Sequence, residues 1–317
     1  MAKGASRTFH PPTADQVSGH LERYAVVPVS PMQQWMPALI VGVLVLLALS
    51  FSNAGITLIV WLAMLGLFLN SFMRARAIRE TDKLLARVQE LTLERQNFDA
   101  MRLAWQVIPQ LRARPQQHTR AVALLAHNLE QVRAYEAAVV AFNEVLGKLP
   151  DEHPAAVQLR VEQTMALLAS DQLTDADIQL RRLRNLLDRF SGSAIAGGFH
   201  LALLYQQIRT NHFRDAADNQ QGMMDKLRPL GIDAGLGYAL LALACYHSAA
   251  HVEDPLIKDA QLWWERATLL LPLATLVRRF HELQAIEQGP AIAARMAKPA
   301  PPTSDDASTP AQEGGQP

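Results

Sequence analysis

Residues 134–150 read AYEAAVVAFNEVLGKLP, and the spacing inside that stretch decides the fold. Ala138, Phe142, Val145 and Pro150 stand four, three and five residues apart. On a helix the first three share a face. The small residue lets a neighbouring helix approach closely, and the larger two fill the gap behind it. The proline cannot continue the helix, so it ends it. The same spacing returns at Ala260, Trp264, Ala267 and Pro272. Ahead of Ala138 runs a second amphipathic stretch, RAVALLAHNLEQV (120–132). The unit is therefore a pair of helices, about 34 residues in all.

Weaker copies lie on both sides. Ala104, Ile108 and Leu111 precede the clear unit by 34 residues, with Pro115 near the expected stop. Ala176, Leu180 and Leu183 follow it by 38, and Ala216 and Met223 by a further 40, with Gln220 where an aromatic is expected. Tyr135 and Phe213 each open a second helix three residues ahead of its alanine. No segment alternates as strands do. The expected fold class is all-α, with helices running to residue 289 and LATLVRRFHELQAIEQ (273–288) as a capping helix. Loops lengthen where the spacing drifts, as at HSAAHVEDP (247–255).

This pattern resembles the tetratricopeptide repeat, a 34-residue helix–turn–helix with an Ala-x3-Phe core and a closing proline. Val122, Ala126 and Leu129 depart from the residues usual in its first helix. The resemblance implies a TPR-like α-solenoid, whose first helices line a concave binding face.

The N-terminal quarter has a different character. Residues 24–73 contain no Asp, Glu, Lys, Arg or His. One span needs roughly 20 apolar residues, so this segment predicts two. SNAG (52–55) divides it into spans of about 35–51 and 56–73, a two-helix transmembrane hairpin. Ser52-Asn53-Ala54 has the small-x-small form of a signal-peptide cleavage site, but 34 residues precede the apolar run and no basic cluster abuts it. Arg74, Arg76 and Arg79 follow the second span, which predicts that both termini face the cytoplasm.

The domain plan read from the sequence is then as follows: a flexible tail over 1–34, the hairpin over 35–73, and a helical stalk over 74–97. The repeats fill 98–289, and a disordered tail covers 290–317. The layout is similar to HemY-like bacterial membrane proteins, which also set two spans before cytoplasmic repeats; the topology transfers, the haem-pathway role does not.

Chemistry is harder to find. Charge balances, with 30 Lys+Arg against 30 Asp+Glu, and no nucleic-acid partner is expected. The single Cys245 lies in an apolar run and reads as a core residue. Glycine pairs at 197–198 and at 235 and 237 read as turn punctuation, and no phosphate-binding glycine loop is present. His247, His251, Glu253 and Asp254 are the nearest approach to a metal set, but they lack the HExxH order. We therefore expect no catalytic residue, no metal and no cofactor.

What remains is the concave face. Its polar residues are Arg120, His127 and Gln131, then Gln158 and Glu162, then Tyr205 and Arg209. These lack the Lys-and-Asn set with which chaperone-binding members of the family hold a C-terminal carboxylate. The expected function is a non-enzymatic adaptor that recruits a protein or peptide to the cytoplasmic side of a membrane, here a bacterial inner membrane, with residues 35–73 in the bilayer. The alternative is an integral subunit of a transport or secretion complex, with the hairpin as the working part and the repeats as its assembly platform.

Overall fold

The computed structural model describes residues 10–27, 40, 42, 43 and 54–297. The first predicted span, apart from Ile40, Gly42 and Val43, lies outside the described residues, as do residues 298–317. Among the described residues every regular element is helical, so the chain is all-α. It divides into two compact units, Met1–Gln179 and Leu180–Pro317, with the boundary inside α7 (Leu173–Arg184).

The first unit opens on α1 (Ala14–Arg23), where the sequence reading expected a flexible tail. Thr13 and Gln16 form a reciprocal capping box at its start, so two amides of the first turn find partners. Val17 and Leu21, one turn apart, are buried and dock the helix on α5 (Tyr135–Leu146). Burial of that apolar pair, added to the cap, overrides the scattered charge and proline that pointed to disorder.

Helix α2 (Ala54–Leu93) runs for 40 residues without a break. Its first half exposes Trp61, Leu65, Phe68, Leu69 and Phe72. Its last three turns bury Leu85, Val88 and Leu91. The predicted stalk is therefore not free-standing: from Thr81 onward the helix packs on α3 (Asn97–Val107) and α4 (Pro115–Gln131). Asp82 accepts from Arg114 at 2.6 Å, Gln89 accepts from Arg120, and the Asn128 amide donates to Thr92 at 2.8 Å. The unit continues through α5 and α6 (Pro154–Ala169) into α7.

One backbone device recurs at four of the reversals. Arg95, Arg133, Asp171 and Asn211 all have φ between 60° and 68°. In each case the next residue's amide reaches back to the carbonyl five residues before it: Gln96 to Leu91, Ala134 to Leu129, Gln172 to Leu167 and His212 to Gln207. The left-handed residue donates to the carbonyl three before it at every turn. This double closure is a Schellman motif, which satisfies carbonyls that the helix end would otherwise orphan. Five residues beyond each left-handed residue stands a buried alanine, namely Ala100, Ala138, Ala176 and Ala216.

That register corrects the first predicted unit. The counterpart of Ala138 is Ala100, not Ala104, so the turns recur at 38, 38 and 40 residues and only the first interval departs from the expected spacing, which was 34. Ala104 occupies the place of Phe142, and Val107 that of Val145. Each is fully buried, so the helix pair is kept while its aromatic is lost.

The second unit contains α8 (Ala194–Arg209), α9 (Phe213–Asp218), α10 (Gln220–Leu227), α11 (Ala234–Ser248) and α12 (Pro255–Leu270). The glycines read as turn punctuation are instead buried inside helices. A Cβ on Gly237 would stand 2.5 Å from Leu227, and one on Gly197 2.9 Å from Leu230, so these glycines buy close helix contact. The predicted capping helix is broken. It runs as α13 (Leu273–Arg279), extends at Phe280, then makes a 3-10 turn over His281–Ile286. Residues 290–297, placed in the predicted disordered tail, form α14 (Pro290–Ala297), which packs on α12 and buries Ala294.

By length and composition, one helical run among the described residues, Gln220–Ser248, could cross a membrane. It joins α10 and α11 through a kink at Gly231 (φ 61°, ψ −122°), and more than half of its apolar window is buried in the protein. Buried apolar surface and a kink mark a core helix of this unit.

Because none of Arg95, Arg133, Asp171 and Asn211 is glycine, each carries a steric cost of about 1 kcal/mol. Arg133→Gly is expected to raise the unfolding free energy by up to about that amount, and Arg133→Val to lower it by at least as much. Thermal and denaturant melting of the two variants checks the turn; equal stabilities would contradict the left-handed geometry.

Candidate interaction surface

Three helices of the first unit, α2, α4 and α6, are joined by polar links between side chains. Arg120, Leu124, His127 and Gln131 recur at helical spacing along one side of α4. His127 donates from Nδ1 to Glu162 Oε2 on α6 at 3.0 Å, and the Gln158 amide donates to Glu162 Oε1 at 3.3 Å. Arg120 reaches the other way, to Gln89 on α2. Gln131 donates to its neighbour Glu130 at 3.0 Å. The structure thus gathers His127, Gln158 and Glu162 into one cluster, with Arg120 and Gln131 about two turns and one turn along the same helix.

Around this cluster lie buried polar groups that the sequence reading did not single out. Asn128 and Gln163 are buried, each leaving its amide oxygen without a hydrogen-bond partner while the amide nitrogen donates, to Thr92 and Asn143 respectively. Arg160 is buried against Asp151. Asn128 and Gln163 immediately follow His127 and Glu162, so α4 and α6 each carry a polar pair that turns from surface to core. The signal in the sequence is a polar residue directly beside a candidate groove residue.

Tyr205 and Arg209 have a different setting. Tyr205 is buried, its ring 4.6 Å from that of Phe280. Its hydroxyl donates to Glu282 Oε1 at 3.3 Å, and Arg209 pairs with the same oxygen at 2.6 Å. The C-terminal turn of the second unit covers both residues. They therefore hold that turn in place and do not line an open groove, which corrects their expected role.

The remaining chemical candidates resolve into packing. Cys245 is buried, and burial, with Asp259 nearby, pushes its thiol up to about 12, so it stays protonated at neutral pH. Its sulfur lies 3.5 Å from Gln220 Oε1, which also accepts from Trp263 Nε1 at 2.5 Å, while the Gln220 amide donates to Asp259 at 3.0 Å. Gln220 thus fills the predicted aromatic position with a hydrogen-bonded network. His247 stacks on Phe213 at 4.5 Å, and Asp254 caps α12 by accepting from Leu256 at 2.9 Å. Among the described residues, no group of three or more His, Cys, Asp or Glu is placed to hold a metal ion.

No protein-family model, curated protein or solved structure matches the chain.

Arg209 and Glu282 are mostly enclosed, whereas Arg214 and Asp218 form an i,i+4 pair largely open to solvent. Removing one member of an enclosed pair strands the other, at a cost of about 3 kcal/mol. Arg209→Ala is expected to destabilise the second unit by roughly that much. In a double-mutant cycle the Arg209–Glu282 coupling should exceed that of Arg214–Asp218, which is held below about 0.5 kcal/mol by solvent. Chemical denaturation of the single and double variants measures both.

Proposed function

We infer that the protein is a membrane-anchored adaptor whose helical repeats, similar to tetratricopeptide repeats, recruit a protein or peptide. The carrying observation is α2, one 40-residue helix with two contrasting halves. Its first half lacks charge from residue 56 to residue 73 and exposes large apolar side chains. Three arginines follow within six residues, and the helix then buries Leu85, Val88 and Leu91 among the inner helices of the first unit.

In water such an exposed apolar surface favours association; in hydrocarbon it is at home, and the helical backbone satisfies its own amides. Together with residues 35–51 it makes a two-span hairpin. Arg74, Arg76 and Arg79 then put the repeats and both termini on the cytoplasmic side, which fits a bacterial inner membrane. Only residues 74–80 separate the span from packed helix, a reach of about 10 Å. The repeats are held close to the lipid on a stiff connection, which raises the local concentration of whatever they hold.

The recruiting surface is the His127–Glu162–Gln158 cluster with Arg120 and Gln131. Its groups present both donors and an acceptor at the junction of α4 and α6, in reach of an extended peptide. The recurring left-handed turns and buried alanines support the repeat reading, though their period of 38–40 residues is longer than the 34 of the tetratricopeptide consensus.

The test is affinity capture and crosslinking from native membranes with the full chain, a form whose residues 35–73 are replaced by an unrelated two-span anchor, and the pair His127→Ala and Glu162→Gln. An adaptor keeps its partner after the anchor swap. It loses about tenfold in capture with either point change, the effect of about 1.4 kcal/mol at an interface. Loss of the partner on the anchor swap, with both point variants unaffected, would instead favour an integral subunit whose hairpin makes the contact.

A further inference from the structure

Helix α1 is held to the first unit by two reciprocal imidazole contacts. His20, on α1, stacks on the ring of Trp105 in α3, with centroids 3.8 Å apart and planes 17° from parallel. Its Nε2 lies 3.2 Å from the Trp105 carbonyl. In the opposite direction His118, on α4, places Nε2 3.0 Å from the carbonyl of Tyr24, the residue that ends α1. Each imidazole thus donates to a backbone carbonyl across the same seam.

The seam has only modest additional hold. Val17 and Leu21 are its buried apolar residues on α1. Beyond α1 the chain is fastened by the Val27 amide to the Arg112 carbonyl at 3.0 Å, with Arg112 donating to the Ala25 carbonyl at 3.4 Å. Two apolar side chains and a few hydrogen bonds bind a ten-residue helix weakly enough for one or two added charges to decide its state.

The surroundings oppose those charges. His118 is buried, and its Nδ1 has no hydrogen-bond partner, so a proton added there would enter a site without an acceptor. Arg23 on α1 faces His20, and the two histidines face each other. Lys148, just beyond α5, faces His118; Glu144 on α5 opposes it but is paired to Lys148 at 2.5 Å. Arg112 lies over the Tyr24 ring, 5.9 Å from its centroid, and Arg114 at the start of α4 is paired with Asp82 of α2. Trp105 brings no charge from α3. Cations therefore predominate along the seam.

We propose that α1 is a pH-released strap: it stays docked on the first unit while His20 and His118 are neutral and lets go when they take up protons. Burial is the main cause holding both imidazoles below the ordinary histidine range. The sign follows. An imidazole whose docked form binds its proton less readily than its free form leaves docking intact above pH about 6.5 and weakens it as pH falls below that value. Within that window each group lowers the docked-to-free ratio by up to about tenfold per pH unit. Release would free the face of α5 that α1 covers.

The experiment is hydrogen–deuterium exchange of the full chain in detergent micelles between pH 7.5 and 5.0, corrected for intrinsic exchange rates and read on peptides covering residues 14–24. Protection of α1 is expected to fall at least tenfold below pH 6.5, while peptides from α5 and α6 keep theirs. The double variant His20→Gln and His118→Gln, whose side-chain amides still donate but do not titrate, should keep α1 protected throughout. Unchanged protection in the native chain at pH 5.0 overturns the proposal, as does equal loss in native chain and double variant. Should the double variant already be open at pH 7.5, the native imidazole proton shifts decide: titration coincident with the loss of protection supports release by these groups, and titration at a different pH overturns it.

Discussion

A single left-handed residue at the end of each of α2, α4, α6 and α8 is the constraint on which the described helix pairing depends. With φ near 60° at Arg95, Arg133, Asp171 and Asn211, the chain reverses in two or three residues and closes two carbonyls as it does so. The reversal brings the next helix back against its partner at a fixed register. That register delivers a small residue to the contact each time: Ala100, Ala138, Ala176 and Ala216. Their methyl groups let the paired helices approach, and the residues four and seven further on fill the space beyond. Turn geometry sets the pairing, and side-chain volume then fills it.

Much of this is legible in the sequence. The all-α class follows from periodicity, and the amphipathic stretch 120–132 and the spacing of Ala138, Phe142 and Val145 fall on the paired helices α4 and α5. The sequence reading sets the first helix pair one turn late because two customary signals are absent. Arg95 stands where glycine usually marks a left-handed turn, and Ala104 stands where the aromatic would be. Without either marker the eye settles on Ala104-x3-Ile108, one turn too late. Helix α1 was missed for the opposite reason: its signal, Thr13-x-x-Gln16 ahead of Val17 and Leu21, was present but brief. Ten residues in a setting of proline and mixed charge carry little weight until burial on α5 is seen.

The candidate site was half legible. Helical spacing singles out His127, Gln158 and Glu162 as polar positions; their meeting in one cluster comes from the packing of α4 against α6. The same logic failed for Tyr205 and Arg209, which Phe280 and Glu282 cover. A turn folding back from some seventy residues downstream leaves no periodic trace in α8. Polarity at a helix face states only that a partner is needed; whether that partner is water, a ligand or the chain's own carboxylate is decided by tertiary contact.

The account stands or falls on α2 serving both lipid and protein. Single cysteines placed at Leu65, Phe68, Phe72, Arg76 and Arg79 in native membrane vesicles test it with a membrane-impermeant thiol reagent, and buried Cys245 should remain silent. The account predicts no labelling at 65, 68 and 72 and rapid labelling at 76 and 79 when the cytoplasmic side is exposed. Labelling at 65, 68 and 72 as fast as at 76 would place the apolar half of α2 in water and contradict it.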